Sequence, residues 1–152
     1  MKQAGDINYL RPVSLRLSGS EMLYEAVTND IRVTVEPAFL DAQSDPDNDR
    51  YVWSYTIGIE NQSGRTVQLL NRHWMITNAL GVTEEVRGPG VVGEQPVLKP
   101  GERFDYTSGA PLTTPSGFMR GAYEMVDEAG ERFSIDIPAF SLDCPNQPIR
   151  LN

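Results

Sequence analysis

An all-β antiparallel sandwich is the fold class this sequence predicts, on three observations. From Ile31 onward, apolar and polar residues alternate with period two along several segments, the spacing of half-buried strands. Turns rich in Gly, Pro and Asn separate those segments. No segment sustains the 3.6-residue period of a long helix. At 152 residues the chain suits one domain, and a domain of this size buries roughly 68–70% of its unfolded surface. A core of that extent needs neither disulfide nor metal.

The first strand expected is Ile31, Val33 and Val35 alternating with Arg32, Thr34 and Glu36, closed by Pro37. A polar loop, residues 41–50, follows. The clearest strand runs from Tyr51 to Ile59 and sets Tyr51, Trp53, Tyr55, Ile57 and Ile59 on one face. Asn61-Gln62-Ser63-Gly64 reads as a turn. Residues 67–70 and 73–77 form one long, bent strand, and Asn78-Ala79-Leu80-Gly81 turns it into residues 82–86. Leu98-Lys99-Pro100-Gly101 is a turn with Pro preset for its second position. Phe104, Tyr106 and Ser108 alternate as the next strand. Residues 118–126 and 133–137 form the last hairpin, joined through Asp127-Glu128-Ala129-Gly130. Tyr123, near the start of the penultimate strand, reads as a tyrosine corner whose hydroxyl bonds nearby backbone. About seven strands within residues 31–143 match an immunoglobulin-type domain of about 100 residues. Residues 1–30 read as an N-terminal extension, with a short helix over residues 21–27 capped by Ser20. A competing reading makes Met22 the natural start. Residues 144–152, rich in Pro, form a tail.

A net charge of −8 argues against binding nucleic acid or an anionic membrane by bulk attraction. No apolar run approaches the ~18 residues of a membrane span, and no signal-peptide core stands near the N-terminus. Cys144 is the single cysteine, so no intrachain disulfide forms. A cytoplasmic location is expected.

The stretch with most to say about function is Arg87-Gly88-Pro89-Gly90-Val91-Val92-Gly93-Glu94-Gln95-Pro96. Gly88, Gly90 and Gly93 fall at the G-x-G-x-x-G spacing of a phosphate-binding turn. The dinucleotide version of that motif requires a helix next, and Pro96 and Pro100 break one. A smaller possibility survives, an anion nest of successive backbone N–H groups. The competing reading gives these glycines a structural task, letting the chain cross between sheets.

Other chemistry is thin. Asp45-Pro46-Asp47-Asn48-Asp49 opens like a calcium loop, but Arg50 and Thr56 occupy the positions that need Gly and Glu. A looser hard-cation site from Asp41, Asp45, Asp47 and Asp49 competes with a plain solvated loop. His73 is the single histidine, and it faces out if Trp74 is core. Cys144 has no neighbouring cation in sequence to activate it. No nucleophile–base set emerges. Asn61-Gln62-Ser63 matches a glycosylation acceptor, which has no use in an unsecreted protein.

Several segments are together specific: Ser44-Asp45-Pro46, Arg50 to Tyr55, Gln68 to Trp74, Gly88 to Gln95, Leu98 to Glu102, Tyr106-Thr107-Ser108-Gly109, Tyr123-Glu124-Met125 and Ile135-Asp136-Ile137-Pro138. In combination, over roughly residues 22–143, the chain resembles the bacterial ApaG family. The resemblance implies a fibronectin type III-like sandwich. It also implies an ill-defined link to cobalt tolerance and magnesium efflux, and proximity to diadenosine tetraphosphate metabolism. Similar domains in eukaryotic F-box proteins and a polymerase-delta-interacting protein look like interaction modules. The glycine signature implies pyrophosphate binding, and the family supplies no catalytic residue to carry over.

The expectation is therefore a non-enzymatic protein-interaction module with an indirect role in divalent-cation homeostasis. Its partner is another protein or a second copy in a homodimer, with no cofactor, no metal, no nucleic acid and no membrane. The alternative is a binder or hydrolase of nucleoside polyphosphates through Gly88, Gly90 and Gly93.

Overall fold

The computed structural model describes residues 11–15 and 22–145. The strands are β1 (Arg11–Leu15), β2 (Met22–Thr28), β3 (Ile31–Phe39), β4 (Tyr51–Asn61), β5 (Val67–Asn78), β6 (Thr83–Pro89), β7 (Val97–Leu98), β8 (Arg103–Leu112), β9 (Ser116–Asp127) and β10 (Arg132–Asp143). Two antiparallel sheets pack face to face. One has the order β1-β2-β3-β4-β8 and the other β10-β9-β5-β6, with β7 also pairing β5. β3, β4 and β8 with β10, β9, β5 and β6 are the seven strands that the alternation predicts.

Period-two patterning builds the core. Trp53, Tyr55, Ile57 and Ile59 from β4 and Ile31, Val33 and Val35 from β3 are buried against Leu69, Trp74, Tyr123, Met125, Ile135 and Phe140 of the other sheet. Trp74 meets Tyr55 and Phe140 edge-on at 5.3 and 6.0 Å, the arrangement that ring quadrupoles favour. Trp53 Nε1 donates to the Asp143 carbonyl at 2.9 Å, tying β4 to the end of β10. The bend expected in β5 is a register shift between Leu69 and Asn71 against β9.

Three local expectations are corrected. Residues 22–27 are strand, not helix, because β2 pairs with β3 from Tyr24↔Val35 to Thr28↔Ile31; Ser20 and Glu21 lie outside the described residues. The sheet thus begins before Ile31, where the sandwich was expected to start. Tyr123 makes no tyrosine corner. Its hydroxyl lies 2.5 Å from that of Tyr106 on the opposite sheet, in a buried pair. Burial pushes both phenols up from their ordinary value.

Asn61 is fully buried and organises two turns. Its Nδ2 donates to the Arg65 and Leu98 carbonyls at 2.7 and 2.9 Å, and its Oδ1 accepts from the Ser63 amide and hydroxyl at 2.9 and 2.6 Å. Its backbone bonds Gly101 and Glu102 in the turn into β8. In the folded domain, the glycosylation-like Asn61-Gln62-Ser63 therefore has no free amide.

Candidate functional site

The glycine stretch sits on the edge of the second sheet. β6 runs along β5 from Thr77↔Thr83 to Asn71↔Pro89, and β7 resumes the same side of β5 at Gln68↔Val97. Residues 90–96 are a looped-out excursion within one interrupted edge strand. The chain does not cross between sheets here. It crosses at the following turn, where Gly101 has φ 88°.

Each glycine of the motif has its own cause. Gly88 lies inside β6 opposite Arg72, and a Cβ there would come within 3.0 Å of the Arg72 guanidinium. Gly90 has φ 64°, and a Cβ would meet the Glu94 carbonyl oxygen at 2.4 Å. Gly93, with φ 80°, follows Val92 at φ 42°. Two positive φ values between Val91 and Glu94, which exchange N–H···O bonds of 2.8 Å, make a two-residue type I′ turn. Gly suits the second position, whereas a β-branched residue at the first is strained.

The amides available to an anion are correspondingly few. Those of Gly90, Val91 and Glu94 donate to the carbonyls of Leu70, Glu94 and Val91. Leu70 O also accepts from Gln95 Nε2 at 2.9 Å. Arg72 Nη1 donates to the Pro89 and Gly90 carbonyls at 2.9 and 3.0 Å. The amides of Val92 and Gly93 are the ones this turn leaves for solvent.

Beside the excursion, the outer face of β6, β5, β9 and β10 holds a shallow cleft of about 440 Å³ lined by Asn71, His73, Arg87, Ala122, Glu124 and Ser134. His73 faces out, opposite to Trp74, as alternation requires. Its Nε2 lies 2.6 Å from Glu85 Oε2, which also accepts from Arg87 at 2.9 Å. Asn71 and Arg132 bond the two oxygens of Glu124 at 2.7 and 3.3 Å. Hydrogen bonds, from His73 first and then Arg87, hold Glu85 below the ordinary carboxylate range. Asn71 and Arg132 do the same for Glu124. Carboxylates so stabilised are weak proton acceptors. No hydrogen bond joins Ser134 to His73 among the described residues; what the cleft presents is paired charges.

The acidic loop does not converge. It forms two single-turn 3-10 helices, Asp41–Gln43 and Pro46–Asn48, and the Asp45 carboxylate accepts from Asn48 Nδ2 at 2.8 Å. Among the described residues, no three His, Cys, Asp or Glu side chains are placed to hold a metal. Cys144 is a free, half-buried thiol just beyond β10. No helix among the described residues is long and apolar enough to cross a membrane.

What the residue-by-residue reading missed is the free edge of β6. Five of its seven residues are exposed, and among the described residues only β5 pairs with it. Its charges, Glu84, Glu85 and Arg87, are visible in the sequence, but its edge position is not.

Two antiparallel sheets in this order define a fibronectin type III-like sandwich. Residues 41–127 match the family model described as the ApaG domain. The protein ApaG of Paramagnetospirillum magneticum is 59% identical over 130 residues, spanning 86% of this chain and 100% of its own. That of Bradyrhizobium diazoefficiens is 62% identical with the same coverage. The crystal structure of a Bordetella pertussis protein provisionally named ApaA superposes with a TM-score of 0.75 at 47% identity, over 78% of this chain and 96% of that one. The chain belongs to the ApaG family.

Proposed function

We propose that the protein is a non-enzymatic interaction module that engages another protein through the free edge of β6 and the polar face beside it. The observation that carries this reading is the edge itself. A free strand edge presents unpaired N–H and C=O groups, and an extended segment adds to such an edge by main-chain hydrogen bonds. β6 has no proline before its last residue, and its register with β5 is unbroken. It therefore lacks the proline and bulge with which edges are commonly blunted. An influence on divalent-cation homeostasis would then run through the partner, since no ligand cluster sits in the described residues. The nucleoside-polyphosphate alternative has less to rest on, because Gly90, Val91 and Glu94 already commit their amides.

The edge is testable with one proline. The Arg87 amide points away from β5, so Arg87→Pro removes an edge donor without costing a bond inside the sheet. Affinity capture from lysate should retain a set of proteins on the wild type and on Arg87→Ala, and lose it on Arg87→Pro. A set indifferent to the proline, or nothing above background, would remove the reading.

A further inference from the structure

The direction of each backbone group on β6 follows from the two ends of its ladder. Asn78 donates to the Val82 carbonyl at 3.0 Å, and Gly90 donates to Leu70 at 2.8 Å. Between them, hydrogen-bonded pairs recur at every second residue. Glu84, Val86 and Gly88 thus turn their N–H and C=O groups to β5, while Glu85 and Arg87 turn theirs to the open side. Any strand added to this edge must meet Glu85 and Arg87.

We propose that the strand which fits this edge is β6 of a second copy of the chain, antiparallel and centred on Val86. The inference rests on the reading of β6 as an interaction edge and names its occupant. Val86 is the middle residue of Thr83–Pro89, so the two-fold uses the whole strand. It sets Glu85 of each copy opposite Arg87 of the other, and these outward groups close the ladder between them. Their side chains share one face and are 46% and 69% exposed; within one copy they bond each other at 2.9 Å, and across the two-fold each also stands opposite its complementary charge. Opposite charges directly across a ladder stabilise it, and like charges destabilise it.

The neighbouring registers fail on that ground. Centring on Glu85 opposes Glu85 to itself, and centring on Arg87 opposes two guanidinium groups. Centring on Glu84 opposes two carboxylates and shortens the ladder. The Val86 register also brings the flank of Leu80 and Val82, which are 78% and 61% exposed, towards the partner's Val92, which is 55% exposed. Apolar side chains otherwise left in water are set together at both ends of the joined strands. β8, one of the two edge strands of the other sheet, is a poorer candidate. Its complementary pair, Arg103 and Asp105, lies at its extreme start, and Pro111 interrupts its far end.

Sedimentation equilibrium of the full chain across a concentration series tests this. The wild type should associate to a dimer. Arg87→Glu should weaken that dimer on the order of tenfold by opposing Glu85 to glutamate twice. The double swap Glu85→Arg with Arg87→Glu should restore it, and Arg87→Pro should abolish it. These exposed positions leave the melting temperature as the control for folding. A wild type monomeric at millimolar concentration would overturn the inference, as would a dimer indifferent to Arg87→Glu and Arg87→Pro. A double swap that fails to recover association would overturn the Val86 register. A monomer whose captured partners still depend on Arg87→Pro would lose this inference while keeping the interaction-module reading.

Discussion

The turn after β4 and the excursion after β6 flank the same two-residue strand, β7, yet they are held by different means. At the first, one buried side chain does the holding, with Asn61 joining Arg65, Leu98 and Ser63 through four hydrogen bonds. At the second, backbone carbonyls and long polar side chains do it at the surface, with Arg72 and Gln95 bonding the carbonyls of Pro89, Gly90 and Leu70. A buried polar network loses heavily when one member is removed, because the groups left behind have no water to turn to. A surface network can substitute solvent. The first turn should therefore behave as part of the core, and the second as a replaceable feature on an edge that is free for other uses.

Three substitutions sharpen that contrast. The largest effect should come from Asn61→Ala, which takes a donor from the Leu98 and Arg65 carbonyls and the acceptor from the Ser63 amide and hydroxyl; a loss of about 3 kcal/mol is expected in urea unfolding. A loss below about 1 kcal/mol would mean that the buried turn relaxes as easily as an exposed one. Tyr123→Phe isolates a buried hydrogen bond with no turn attached. It strands the Tyr106 hydroxyl in the core and should cost about 1–2 kcal/mol, measured the same way. Val92→Gly acts at the surface excursion and in the opposite direction. Relieving a β-branched residue at positive φ outweighs the extra freedom of an unfolded glycine, so a gain of about 0.5–1 kcal/mol is expected. A destabilised Val92→Gly would show that the exposed valine packs against something.

Much of the fold was legible because a strand buried on one face must alternate. Ile31–Val35 and Tyr51–Ile59 could not be arranged otherwise. The turns were legible where glycine is needed at positive φ, as at Gly81, Gly101 and Gly130. The errors share a cause. Residues 22–27 contain good helix formers, Leu23, Glu25 and Ala26, and only pairing with β3 makes them a strand, since tertiary context overrides propensity. Gly88-Pro89 looked like loop, yet both residues complete β6 because Arg72 and Asn71 stand opposite. Tyr123 looked like a local corner, but its partner, Tyr106, comes from the other sheet.

The candidate site divides in the same way. The G-x-G-x-x-G spacing was plain, and the prolines after it already excluded a dinucleotide helix. That Gly88 makes room for Arg72, Gly90 for the Glu94 carbonyl, and Gly93 for a type I′ turn is decided only in the folded chain.

By itself, the sequence determined the class of fold, the family, the acidic surface, and the alternation of Glu85, Val86 and Arg87 in one short strand. Tertiary structure decided that this strand lies at a sheet edge, which of its amides face outward, and that His73 and Arg87 both meet Glu85. The reason is physical: side-chain alternation is local to a strand and repeats every two residues. The order of strands in a sheet is set by contacts between residues far apart in the chain, and no local pattern records it.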